Sequence, residues 1–199
     1  MGQGLLVALV MAGAAQAASG HKTAIQVYTS AAEIEQHLPA ARTTPMGVVV
    51  RAKNGLELEL TEKQFLGAAP VLCWYVPSLH VVGACEIGHG AAITVLINLN
   101  NGRRVTAPGL PRLTPQSGLI AVGPRKGIDA DSITLVRVTP DDLEDQGGAF
   151  FDHDHRPGAW IDAACYRLGR KGDWLEKTPE GWRQVTAAQS TVCRQRHGG

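Results

Sequence analysis

The chain has 199 residues, 19 Lys and Arg against 18 Asp and Glu, and a net charge of +1 with 44% hydrophobic residues. Balanced charge excludes the basic footprint of a nucleic-acid-binding protein and gives no reason for attraction to an anionic membrane. The length suits one domain with a real hydrophobic core.

The chain opens on an apolar run from Leu5 to Ala12, followed by the small-residue triplet Ala15-Gln16-Ala17. This is the pattern of a cleavable signal peptide over residues 1–17, with cleavage before Ala18. The run is shorter than the roughly 20 residues that span a bilayer as a helix, and no stop-transfer segment follows it. The n-region Met1-Gly2-Gln3 carries no basic residue, and a buried N-terminal helix is the competing reading. Cleavage leaves a single β-rich domain over residues 18–199, periplasmic or secreted, with no membrane insertion.

Residues 23–28, TAIQVY, alternate in strand fashion. Ser30 and Glu33 then form a capping box in front of a short helix that Pro39 stops. A loop is expected around residues 42–45. Residues 47–52 and 56–62 flank Lys53-Asn54-Gly55, which reads as a hairpin with a type I′ turn, and Leu56, Leu58 and Leu60 are expected on its core face. Short strands follow at residues 71–76, 80–87 and 91–99, then a second turn at Asn100-Asn101-Gly102 and a strand at 103–107. After a Pro/Gly loop come strands at 118–123, 132–138, 159–168, 173–177 and 182–186. This spacing predicts a mainly β fold, an antiparallel sandwich or a curled propeller-like meander, with one short N-terminal helix.

Within this series Ile93 to Leu99, Asn101-Gly102, Thr114-Pro115-Gln116-Ser117-Gly118 and Leu119 to Val122 follow one another as strand, turn, strand, turn and strand. The stretch 93–122 resembles one blade of a WD40-type β-propeller. The resemblance implies an order of strands and turns and assigns no function.

The four cysteines, Cys73, Cys85, Cys165 and Cys193, read as two disulfides in an exported chain. Of the three connectivities, Cys73 with Cys85 and Cys165 with Cys193 is favoured, because each pair brackets a hairpin or short meander. Zinc is the competing reading, but neither pair has the close ligand spacing that zinc sites use.

Two patterns carry possible chemistry. In the loop Asp152-His153-Asp154-His155, a strand-like conformation places His153 and His155 on one side and Asp152 and Asp154 on the other. His153, His155 and Asp152 are therefore the candidate metal ligands, against a solvated loop that needs no ligand. Trp174, Trp182 and Arg183, on strands joined by a short turn, are the candidate binding face for a protein or a glycan, against ordinary packing of the tryptophans. His80 and His89 flank Cys85, yet a cysteine of an exported protein is expected to be oxidised. No nucleophile elbow, zincin motif, Walker A loop or dinucleotide fingerprint is present, so no catalytic residue is assigned and no cofactor is implied. The expected function is a non-enzymatic binding or structural protein of the bacterial envelope or periplasm with a protein partner, inhibitor and immunity roles included. A metal-dependent hydrolase using residues 152–155 is the alternative.

Overall fold

The computed structural model describes residues 25–65, 67–88, 91–124, 132–150, 158–168 and 173–197. The proposed signal segment lies outside these residues. Helix α1, Ala31–His37, begins at Ser30, whose Oγ accepts from the Glu33 main-chain N–H and donates to the Glu33 carboxylate. The capping box therefore forms, and Ile34 is the buried residue of the helix.

The strands then fall into four antiparallel meanders in chain order. The first sheet holds β1 (Ala41–Thr44), β2 (Gly47–Arg51) and β3 (Glu57–Thr61). The second holds β4 (Val71–Val76), β5 (Val81–Gly88), β6 (Ala91–Asn98) and β7 (Arg104–Pro108). The third holds β8 (Leu110–Leu113), β9 (Leu119–Gly123), β10 (Ser132–Val138) and β11 (Leu143–Phe150). The fourth holds β12 (Ala159–Asp162), β13 (Cys165–Leu168), β14 (Asp173–Thr178) and β15 (Gly181–Val185), followed by helix α2, Val192–His197. The fold is thus mainly β and antiparallel, and among the described residues no sheet closes into a barrel.

Each sheet packs on the next. Leu60 and Val50 of the first sheet meet Val82, Val95 and Ile97 of the second. The other face of the second sheet, with Trp74, Val81 and Leu96, meets Ile120, Val122 and Val136 of the third. Leu119, Ala121, Ile133 and Leu135 then face Tyr166 and Leu175 of the fourth. The two inner sheets are covered on both faces, so their strands read as near-continuous apolar runs such as ITVLI and LIAVG. Burying a Leu or Ile side chain in such a layer contributes about 1.5–3 kcal/mol.

The chain passes from the second sheet to the third at Gly109, whose φ is +94°. A Cβ there would stand 2.3 Å from the Gly123 main chain, so no other residue fits. This crossing divides the propeller-like stretch 93–122: β6 and β7 close one sheet, while β8 and β9 open the next.

Several expectations change. The hairpins at Gly55 and Gly102 form, but φ is +87° and +77° at the glycines while Asn54 and Asn101 keep negative φ. A type I turn ending on a left-handed glycine therefore replaces the type I′ turn. Leu60 is fully buried, whereas Leu56, nearest the turn, is 46% exposed. The loop expected around residues 42–45 overlaps strand 41–44, residues 110–113 of the Pro/Gly loop are a strand, residues 143–150 form a strand where none was expected, and residues 159–168 form two strands around a turn at Ala163-Ala164. From the expected strand 23–28, the described residues contribute a single bridge, in which Tyr28 and Tyr75 exchange main-chain hydrogen bonds of 2.9 Å.

Candidate binding groove

A groove lies beside β8, the edge strand of the third sheet, over residues of the second. The floor of this groove starts at a β-bulge in β4: Leu72 pairs with Ala84 and Trp74 with Gly83, with Cys73 as the extra residue. A bulge breaks strict alternation. Leu72 accordingly packs toward the first sheet, while Cys73 and Trp74 both turn to the face that meets the third. Gly83 makes room for the indole, because a Cβ there would lie 3.3 Å from Trp74 Cβ and 3.6 Å from Cys73 Sγ.

Cys73 is bonded to Cys85 across β4 and β5, the favoured pairing, with the Cα atoms 5.7 Å apart. The bridge braces the floor beside Trp74, and it leaves Cys85 no thiol for nucleophilic chemistry with a histidine. Val27 and Thr29, either side of the Tyr28 bridge, extend the same floor. Leu110, Pro111, Arg112 and Leu113 of β8, with Pro124, form the wall. The cavity between them measures about 360 Å³, and a second of about 230 Å³ continues it over Cys73 toward Ile87, itself 51% exposed. Both share Thr29, Trp74, Leu110 and Pro111, so they form one apolar trough.

Comparison with protein-family models, with curated proteins and with solved structures finds no match to the chain.

The candidate binding residues of the fourth sheet do not share a face. Trp174 pairs with Val185, and Trp182 pairs with Lys177, an odd number of residues further along β14. Trp182 therefore points inward, where it meets Trp160 edge-on at 5.6 Å in the core between the third and fourth sheets. There Trp160 also stands edge-on to Tyr166 at 5.0 Å, and Arg112 sits over the Tyr166 ring and donates to its hydroxyl. Burial pushes the Tyr166 hydroxyl above its ordinary pKa, against the opposing effect of Arg112. Trp174 and Arg183 point to the opposite face, so Arg183 shares a face with Trp174 and not with Trp182.

On that outer face Arg183 donates through Nε and Nη2 to Oε1 of Glu176, a fully buried carboxylate. Oε2 of Glu176 accepts from Ser190 Oγ and from the main-chain N–H of Val192. Burial acts to raise the Glu176 pKa, but the hydrogen bonds from Arg183, Ser190, Val192 and Cys193 outweigh it and hold the carboxyl below its usual value. The second disulfide, Cys165 to Cys193, fastens the same helix to β13. This cluster anchors α2 and leaves its carboxylate without free acceptor capacity toward solvent.

The candidate metal ligands Asp152, His153 and His155 lie outside the described residues. Among the described residues no group of three His, Cys, Asp or Glu side chains gathers as a metal site. The groove escapes a reading of the sequence because Trp74 lies in an ordinary strand run and β8 in a Pro/Gly-rich segment. The bulge that aligns Cys73 with Trp74 has no local sequence mark.

Proposed function

We propose that the chain is an exported, non-enzymatic binding protein of the bacterial envelope or extracellular space, and that it takes a protein partner in the groove over Trp74. The trough itself carries this reading: a concave apolar surface on a covalently braced sheet is the usual form of a binding site. Bracing matters because a floor that is already ordered loses less entropy on binding. Export rests on the N-terminal pattern, and the two disulfides are compatible with it. Among the described residues no helix is long and apolar enough to cross a membrane.

Two measurements test the proposal. Intact mass of the protein recovered from an oxidising compartment should correspond to cleavage after Ala17, with four hydrogens regained on reduction. An uncleaved chain with free thiols overturns the export reading. Binding of the apolar dye 1-anilinonaphthalene-8-sulfonate should be lost in Thr29→Trp, an exposed position on the groove floor where a large side chain fills the trough. Unchanged dye binding, or stoichiometric zinc in the purified protein, removes the support for a groove-based binding function.

A further inference from the structure

The wall of the groove is a sheet edge, and its main-chain chemistry narrows the kind of partner. In the β8–β9 ladder the register pairs Leu110 with Gly123, Pro111 with Val122, Arg112 with Ala121 and Leu113 with Ile120. The Thr114 N–H donates to the Leu119 carbonyl one step further on. Antiparallel ladders alternate between hydrogen-bonded and non-bonded pairs. Arg112 and Leu110 therefore bond to β9, while Pro111 and Leu113 turn their main-chain groups away from it, toward the open edge. Gly109, just before β8, donates to the Ala92 carbonyl in the second sheet. Pro111 fits this placement because its missing N–H falls where β9 needs no donor.

β8 is the last strand of its sheet, and among the described residues its outer edge leaves the carbonyl of the buried Pro111 and both main-chain groups of the half-buried Leu113 without a strand partner. Arg112 reaches across to the Tyr166 hydroxyl and also borders the groove, where the other β8 side chains, Leu110, Pro111 and Leu113, are apolar. An apolar floor under a row of unpaired main-chain groups is the shape left by an absent strand. Small molecules of apolar character satisfy the floor but not the edge.

We propose that the groove is a strand-addition site: an extended segment of a partner protein, aliphatic at every second residue, lies beside β8 as a fifth strand of the third sheet. The inference rests on the binding reading above and names its partner's conformation. Main-chain bonds to Pro111 and Leu113 supply affinity, and the alternate side chains that drop onto Trp74 and the Cys73–Cys85 bridge supply selectivity. The occupant is a polypeptide because only a polypeptide presents donors and acceptors at the strand repeat.

The test uses the full mature protein, ¹⁵N-labelled, and an acetylated, amidated Lys-Val-Thr-Val-Thr-Val-Lys heptapeptide at millimolar concentration, with two N-methylated versions. One carries methyl groups on the first, third, fifth and seventh residues and the other on the second, fourth and sixth. Strand addition predicts a downfield shift and slowed exchange of the Leu113 amide with the parent peptide, abolished by one methylation pattern and retained with the other, because only one edge of the added strand faces β8. The response should also be lost in Thr29→Trp. If both methylated peptides act alike while Thr29→Trp blocks dye and peptide, the groove binds apolar groups and strand addition is overturned. If Thr29→Trp changes neither, the groove reading itself fails. Self-association in sedimentation, lost in Thr29→Trp, would make a second copy of the chain the occupant and overturn the assignment to a different partner.

Discussion

The two disulfides each start from a strand, one ending on the neighbouring strand and the other on helix α2, and they do different work. Cys73–Cys85 joins neighbouring strands 12 residues apart and lies on the floor of the groove, where Cys73 remains half-buried. Cys165–Cys193 spans 28 residues, is fully buried at both ends, and ties a helix of six residues to the last sheet. The first bridge shapes a surface and the second holds an element that could not stay folded alone, since so short a helix is unstable without tertiary support. The comparison separates covalent preorganisation of a site from covalent fastening of a terminus.

Removing each bridge in turn is the strongest way to break that distinction. Chain entropy alone gives roughly 3.6 kcal/mol for the longer loop and roughly 2.8 kcal/mol for the shorter. The double change Cys165→Ala with Cys193→Ala should therefore lower stability more in urea unfolding, while leaving dye binding to the groove intact. Cys73→Ala with Cys85→Ala should show the smaller stability loss and weakened dye binding. Equal effects on the groove would mean that the bridge beneath it does no preorganising.

Glu176 sharpens the second half of the comparison. Glu176→Gln replaces a carboxylate that accepts from Arg183, Ser190 and the start of α2, and should cost about 1–3 kcal/mol. Because the folded pKa lies below the ordinary value of 4.5, the ionised carboxylate contributes stability that is fully present above that pH. It is lost as pH falls through the depressed folded value. The gap in urea midpoint between wild type and Glu176→Gln should narrow as pH falls through the depressed folded value. A constant gap would show that the carboxylate's charge is not what anchors the helix.

The same contrast explains what could be read from the chain itself. The β class, the capped helix at Ser30 and the pairing of the cysteines were legible, because alternation, a side-chain cap and hairpin spacing are local in sequence. The stacking of four sheets also left a trace in runs such as LIAVG, which are apolar on both faces. The groove left none. It depends on a bulge at Cys73 that moves one side chain across the sheet, and on a strand, 110–113, hidden by Pro111 and by the glycine before it. The face of Trp182 was equally illegible: its register against Lys177 is fixed by the turn at Pro179-Glu180, and a shift of one residue reverses every side chain. Helix α2 is too short for periodicity to reveal and is held by Glu176 and Cys193 rather than by its own propensity.

Gly83→Ala makes the smallest change and tests the floor most directly. Gly83 lies opposite Trp74 in the β4–β5 ladder, with φ outside the left-handed region, so alanine meets no backbone strain there. The added methyl group would sit 3.3 Å from Trp74 Cβ, a tight contact, and 3.5 Å from Leu96 Cδ2, an ordinary one. Reduced freedom of the unfolded chain favours alanine by about 0.4–1 kcal/mol, and crowding opposes it by a similar amount. Global stability should therefore stay within about 1 kcal/mol of wild type, a balance of the same two effects. Trp74 borders the groove although it is only 3% exposed, so displacing its indole alters the groove floor. Dye binding should fall with no matching loss in the urea midpoint. A stability loss of several kcal/mol with unchanged dye binding would mean instead that Trp74 is fixed by the core of the two sheets and that the floor cannot be altered separately from the fold.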